Sequence, residues 1–537
     1  MNADVIVIGA GISGALVADR LAASGVSVSM LEAGPRIDRQ QAVVSFFDAA
    51  IKVPECAYPN TAYAPHPRSE DPDFYYVQTG PDKFKSTYLR QVGGTTWHWL
   101  GTCLRLVPDD FRLATRFRRG VDWPIDYAAL EPWYGRAEEA IGVAGDSSDN
   151  LGSPRSAPYP MPRIAPSYLD AAVAKAFDGL GFDVRATPQG RNSVVRDDRP
   201  PCCGNSSCIP VCPIQAKYDA TAHVARAEKA GARLLAQCVV HRIEIGRDGR
   251  VAAIRYKRPD GSDHRATAKV YVLAAHAIEI PKLLLMSRGP NAAKGVANSS
   301  DQVGRNLMDH PIQLSWALNA SPVYPYRGPF STSGVETTRA GDWRATRPAF
   351  RIEIGNDGWS WPTGAPASDA HALAMKGLRG AALQKALYDR TARQIRFASL
   401  TEQLPDADNR VTLDRVERDA LGLPRPRIAY RIDDYTKAGL AEARRIHGAL
   451  FERLSATEVG HKVDADFQGA GHVMGTARMG PDAKHAVVDG DLRAFDHPNL
   501  FIEGSAVFPT GGAANPTLTI AALALRSVDA IRAALRT

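Results

Sequence analysis

The first thirty-two residues constrain this chain more than any other stretch. Val5-Ile6-Val7-Ile8 is a continuous apolar run, as expected of a parallel strand buried on both faces. Gly9, Gly11 and Gly14 follow at the G-x-G-x-x-G spacing. The first permits a tight turn, the second lets backbone approach a pyrophosphate, and the third lets the next helix pack close to the strand. That helix would aim its N-terminal N–H groups and positive dipole end at phosphates. A second strand, Val26 to Leu31, ends in Glu32, whose carboxylate can accept hydrogen bonds from both ribose hydroxyls of an adenosine. Strand, glycines, helix, strand and terminal acid in that order make a dinucleotide-binding unit rather than a Gly-rich turn. They do not choose between NAD and FAD.

A chain of 537 residues is too long for one ordinary core, which predicts two domains. With 45% hydrophobic and 23% charged residues it has the composition of a soluble globular protein, and no apolar run reaches the ~18 residues of a membrane span. The formal charge of +7 is a mild excess that could favour an acidic partner or an anionic membrane surface. No dense Lys/Arg run with interleaved aromatics points to nucleic acid. The N-terminus enters its first strand by residue 4, which leaves no room for a signal peptide or twin-arginine leader. Taken alone, that reads as cytoplasmic.

Beyond the fingerprint, Gly93-Gly94-Thr95-Thr96-Trp97-His98-Trp99 offers backbone that can lie against a flat ring system. A helix is predicted after Asp126, a plausible N-cap. Further helices are predicted over Ala222–Ala230, Lys282–Ser287, Asp434–Leu454 and Thr517–Leu535, and strands over Val270–Ala275, Ala349–Ile354 and Arg427–Ile432. The change of character across 311–460 reads as a second domain inserted in the first. Near the end, His472 sits in the Gly-rich loop Gly471-His472-Val473-Met474-Gly475-Thr476. Asn515 immediately precedes Pro516-Thr517-Leu518-Thr519, where Pro516 suits a first helical position.

These motifs, in this order, resemble the glucose–methanol–choline (GMC) family of FAD-dependent oxidoreductases nearly end to end. The carriers are the fingerprint with Glu32-Ala33-Gly34, Gly93-Gly94-Thr95, Ala275 to Ser287 with Pro281, Val303 to His310, His472 to Thr476, and Asn515 to Thr519. The resemblance implies FAD rather than NAD. It also implies an α/β fold (α+β overall), with a Rossmann-like FAD domain and an antiparallel-sheet substrate domain. The expected division is FAD domain at 1–45, 217–310 and 465–537, a flavin-contacting segment at 75–105, substrate-domain and peripheral helices at 106–191, a cysteine loop at 192–216, and the substrate domain at 311–464. Gly9, Gly11, Gly14, Glu32, Ala33, Gly93, Gly94, Thr95, His98, Val240, Ala275, Pro516 and Thr517 become cofactor-binding residues.

The family's chemistry maps onto His472 as proton acceptor and Asn515 as a holder of the substrate oxygen, since a neutral imidazole suits removal of a hydroxyl proton. His310 and His497 carry no such argument and are expected to be ordinary hydrogen-bonded residues. The stretch around His98 is similar to that of pyranose oxidases, whose His is joined covalently to the flavin methyl group; the preceding Thr is Trp97 here. Covalent attachment and simple packing both stay open.

The cysteines narrow the reading further. Four of seven lie within eleven residues, in Cys202-Cys203-Gly204-Asn205-Ser206-Ser207-Cys208-Ile209-Pro210-Val211-Cys212-Pro213. Tight clustering and an odd total argue for a metal site over a disulfide framework. Neighbouring side chains on extended backbone point apart, so the loop offers three good ligands, suited to an iron–sulfur cluster or to zinc. The stretch through Tyr218 resembles the catalytic subunits of bacterial FAD/iron–sulfur glucose, fructose, gluconate and sorbitol dehydrogenases. This implies a [3Fe-4S] cluster on Cys202, Cys208 and Cys212, with Cys203 a bystander. It further implies a multihaem cytochrome c subunit, and a small chaperone-like subunit whose twin-arginine leader carries the complex to the periplasmic face of the membrane. A structural zinc knuckle of all four cysteines is the alternative.

The surroundings of His472 and Asn515 look more like the general family than the sugar branch, so the substrate stays open among sugars, polyols and sugar acids. Glu402 matches a sugar-branch carboxylate that could bond sugar hydroxyls; otherwise it is a solvated acid before a turn. The expected function is an FAD-dependent dehydrogenase passing electrons through iron–sulfur to a cytochrome. An oxygen-using oxidase with a structural cysteine loop is the main rival, and a relative with a purely structural flavin a third.

Overall fold

The computed structural model describes residues 2–462 and 467–536; the domain boundary expected at 464/465 lies outside them. The predicted fingerprint strand runs Asn2–Ile8 at the centre of a parallel sheet. Val5 pairs with Val28 on one side and Val270 on the other, and Val5, Ile6 and Val7 have no exposed surface. Such a two-sided burial is why the run is uniformly apolar rather than alternating. The sheet continues outward through Val28–Leu31 to Arg233–Leu235, and through Asp263–Leu273 to Leu500–Ile502. An antiparallel hairpin, Val239–Ile245 with Val251–Lys257, extends it from the N-terminal half of Asp263–Leu273. Strands from the beginning, middle and end of the chain therefore share one sheet, and the switch between its two halves lies beside the fingerprint.

Helix Ile12–Ala22 packs against the closing helix Thr517–Ala534, which in turn packs against Tyr127–Ile141. Asp126 caps the last of these, accepting from Ala129 N at 2.8 Å. Tyr134 and Thr519 share a 2.8 Å hydroxyl hydrogen bond across the helix pair.

The second large sheet is antiparallel, in the order Thr457–His461, Pro311–Leu318, Gln394–Thr401, Phe350–Gly355, Ser333–Val335, Val184–Ala186. Along Phe350–Gly355 the two faces separate cleanly. Phe350, Ile352 and Ile354 join Ile395 and Phe397 under helix Asp434–Arg453, while Arg351 and Glu353 take the opposite face, as period-two alternation requires. The strand expected at Arg427–Ile432 instead spans Pro424–Ala429, and it lies in a separate small sheet with Arg410–Arg418 and Val77–Gln78. No helix among the described residues is long and apolar enough to cross a membrane.

Candidate active site

One cavity of about 1200 Å³ runs from the fingerprint to the charged face of the antiparallel sheet. That exceeds an ordinary small-ligand pocket and leaves room for a dinucleotide plus a substrate. At its nucleotide end lie Gly9, Gly11, Glu32, Ala33, Val240 and Ala275. Gly9 turns at φ +107°, a conformation that favours glycine. A Cβ on Gly11 would meet nothing within 4 Å, whereas one on Gly14 would lie 2.1 Å from Gly9 O. Gly14 is thus needed for helix–strand packing, and it is not part of the lining where the other cofactor-binding candidates of the fingerprint lie. Helix Ile12–Ala22 has no side-chain cap at Gly11, so its first N–H groups are available to an anion. The Glu32 carboxylate accepts from Ala10 N (2.9 Å) and Gly34 N (3.0 Å). Burial raises its pKa against those donors, and the residue lines the cavity.

Gly94, Thr95 and His98 line the middle of the cavity; Gly93 supplies the φ +92° turn behind them. His98 Nε2 is buried without a protein partner, and burial pushes the imidazole down to about 3, which keeps it neutral. The open nucleotide cradle, the uncapped helix, Glu32 and this orphaned nitrogen together fit FAD.

At the far wall the catalytic expectation becomes a network. His310 Nε2 lies 2.9 Å from Gly512 O, a group that can only accept, so this nitrogen carries the proton. Burial lowers the His310 pKa to about 4, leaving Nδ1 bare. His472 Nδ1, 2.9 Å away, must then donate to it. On the other side Arg351 donates to Asn515 Oδ1 (3.3 Å), which turns the Asn515 amide NH₂ toward His472 Nε2, also at 3.3 Å. Both neighbours dictate the same tautomer: Nδ1–H, with an unprotonated Nε2 at the cavity. Burial, His310 and Arg351 hold the His472 pKa well below its ordinary value. Asp309 fixes the backbones of both histidines, accepting from His310 N (2.7 Å) and His472 N (2.9 Å). Pro516 and Thr517 complete this wall as the cap and first residue of the closing helix, one position later than expected for Pro516.

His310 and Arg351 were not legible as site residues. His310 lay in the Val303–His310 motif without an argument of its own, and Arg351 could have been flagged as a charge on a strand whose other face is apolar. His497 is hydrogen-bonded as expected, to Gly249 O (2.7 Å) and Ala297 N (3.2 Å). Glu402 requires correction. It is fully buried, is not among the cavity-lining residues, and accepts from Arg344 at 2.8 Å. Its carboxylate is committed to an internal ion cluster that also includes Asp110, so it faces neither the cavity nor solvent.

The cysteine loop abuts the same cavity, contributing Ser206 and Ile209 to its wall beside His98 and Trp99. Cys202, Cys208 and Cys212 line one small void with Lys217; Cys203 touches it too but is exposed. Backbone N–H groups of Gly204 and Lys217 each approach a sulfur at 3.4 Å, those of Cys202 and Cys212. Lys217 is buried, and its ammonium donates to Cys208 O (2.7 Å), Trp97 O (2.9 Å) and Trp99 O (2.5 Å). It ties the loop to the segment that carries His98. Arg39 holds the other side through Cys212 O (3.0 Å). Among the described residues no set of three His, Cys, Asp or Glu side chains converges on a single ion position. Cys202, Cys208 and Cys212 share only the small void already described.

The chain matches the family described as GMC oxidoreductase over residues 4–312 in its N-terminal part and 405–524 in its C-terminal part. It is 37% identical to the fructose dehydrogenase large subunit of Gluconobacter japonicus, covering 99% of this chain and 98% of that one. It is 29% identical to the 2-methyl-1,2-propanediol dehydrogenase of Mycolicibacterium austroafricanum (98% and 95%). Among solved structures, formate oxidase of Aspergillus oryzae RIB40 superposes with a TM-score of 0.67 at 15% identity, covering 99% and 98%.

Proposed function

Because the chain belongs to the GMC oxidoreductase family and is an FAD-dependent oxidoreductase acting on CH–OH donors, we propose that it is the catalytic subunit of a sugar or polyol dehydrogenase that hands electrons on through its cysteine loop. FAD, held by Gly9, Gly11, Glu32, Ala33, Gly94, Thr95, His98, Val240, Ala275, Pro516 and Thr517, would supply a hydride acceptor at its N5. His472 Nε2 takes the hydroxyl proton of the substrate. The Asn515 NH₂ donates to the same oxygen and orients it, so that the C–H bond to be broken is presented in one geometry. Arg351 keeps the Asn515 amide from flipping, and His310 keeps the proton off the working nitrogen of His472.

A [3Fe-4S] cluster on Cys202, Cys208 and Cys212 would supply one-electron transfer toward a multihaem cytochrome c subunit. The observation that carries this reading is the shared wall: the cysteine loop lines the cavity beside His98 and is bonded to that segment through Lys217. The large-subunit name of the Gluconobacter relative supports an assembly. In it, a small chaperone-like subunit with a twin-arginine leader brings this chain to the periplasmic face of the inner membrane. Iron and acid-labile sulfide analysis with low-temperature EPR on anaerobically purified protein tests the proposal. About three irons per chain, with the signal of an oxidised three-iron cluster, are expected. Zinc without iron would contradict it, and hydrogen peroxide formed in step with product would make the protein an oxidase.

A further inference from the structure

The charged face of the antiparallel sheet continues beyond the catalytic pair. Arg351, which orients Asn515, lies 3.7 Å from Glu353; Glu353 lies 3.4 Å from Arg396; and Arg396 Nε donates to Asp357 at 2.7 Å. Glu353, Asp357, Arg396 and the indole of Trp361 all line the cavity that holds His472 and Asn515. Trp361 lies 5.0 Å from the Arg396 guanidinium. The arrangement is built into the backbone. Gly355 stands opposite Arg396 in the strand register, and a Cβ there would fall 2.2 Å from the guanidinium carbon. A Cβ on Gly334 would fall 2.6 Å from Arg351 Nη2. Neither glycine has a positive φ, so each is required for space, to let an arginine lie flat across the neighbouring strand.

We infer that Glu353, Asp357, Arg396 and Trp361 form the subsite that recognises the hydroxyls of the substrate. This inference rests on the dehydrogenase reading above. The charges of the cluster balance: Glu353, Asp357 and Glu336 stand against Arg396, Arg351 and Arg339, the last 3.7 Å from Glu336. The lining therefore offers hydrogen-bonding groups of both kinds rather than a net field. Carboxylates need donors and the guanidinium needs acceptors; a hydroxyl group is both. The face of Trp361 can pack against the C–H surface of a sugar ring.

The test compares wild type, Glu353→Gln and Trp361→Ala, each loaded with FAD, using fructose, sorbitol and gluconate. Binding is read by calorimetry, and anaerobic flavin bleaching gives the limiting rate. Wild type should bind the neutral compounds. Glu353→Gln should weaken binding of the preferred neutral compound by at least about tenfold, the cost of one charge-assisted hydrogen bond, and raise KM by a larger factor than it lowers kcat. Trp361, partly exposed at the cavity edge, gives a variant whose folding is not at stake and should weaken binding severalfold. Unchanged neutral-sugar binding in both variants would overturn the inference. If wild type binds the neutral compounds but none of the three bleaches its flavin, the dehydrogenase reading fails while the subsite stands.

Discussion

The catalytic wall and the cysteine loop border one cavity but are held by opposite means. Around His472, side chains hold side chains: His310, Asn515, Arg351 and Asp309 settle the position of each proton. Around the cysteines the contacts run chiefly through backbone, with N–H groups on two sulfurs and Lys217 gripping three carbonyl oxygens. A network of the first kind is sensitive to single substitutions and to pH, because each member fixes the protonation of the next. A frame of the second kind tolerates a changed side chain without passing the change on. The two halves of the reaction, substrate oxidation and electron exit, should therefore come apart under mutation.

The largest effect expected is at His472. His472→Ala should lower the limiting rate of flavin reduction by ~10²–10⁴-fold, the usual contribution of a general base, while FAD content and cluster EPR stay intact. Next, Cys208→Ser should cut reduction of an external one-electron acceptor at least about tenfold, by loss of one ligand of the proposed cluster. Anaerobic bleaching of its flavin by substrate should stay near wild type. Equal losses in both assays would show that the halves are coupled after all.

His310→Phe tests how the network sets pH dependence. In wild type the His472 pKa lies well below its ordinary value, so kcat/KM should hold its plateau as pH falls through 6.5. Removing His310 takes away one of the influences that lower that pKa. The acid limb should move to higher pH, so the ratio of variant to wild-type kcat/KM should fall as pH is lowered. An unmoved limb would mean that His310 only fills space.

The smallest effect is on stability and lies outside both regions. Glu503 is buried between the fingerprint helix and the closing helix, accepting from Ser13 and Ser527, and burial raises its pKa to about 8. Between its unfolded value of 4.5 and that figure, the native state holds a proton that the unfolded chain releases. Stability therefore falls as pH rises across this window. Glu503→Gln should unfold at the same temperature as wild type below pH 4.5. At pH 8 it should be more stable, by on the order of a few kcal/mol.

How far the molecule was legible in its sequence follows from the range of each interaction. The fingerprint, the Asp126 cap and the turn before the closing helix are local, and their residues carry the geometry within a few positions. The Arg351–Asn515 contact spans 164 residues, and the His310–His472 contact 162. Both depend on sheet register and on which face of a strand is apolar, and neither has a local sign. Glu402 was misread for the same reason: its match to a sugar-branch carboxylate and its place before a turn suggested substrate or solvent, whereas its partner Arg344 is 58 residues away in sequence.

The central claim is that substrate oxidised at His472 and Asn515 delivers electrons to the cysteine loop. Rapid-freeze EPR after anaerobic mixing of the FAD- and iron-loaded protein with substrate tests it most directly. The oxidised-cluster signal should disappear on the timescale of flavin bleaching in wild type and persist in His472→Ala. A flavin that bleaches fully while the cluster signal stays unchanged would contradict the account.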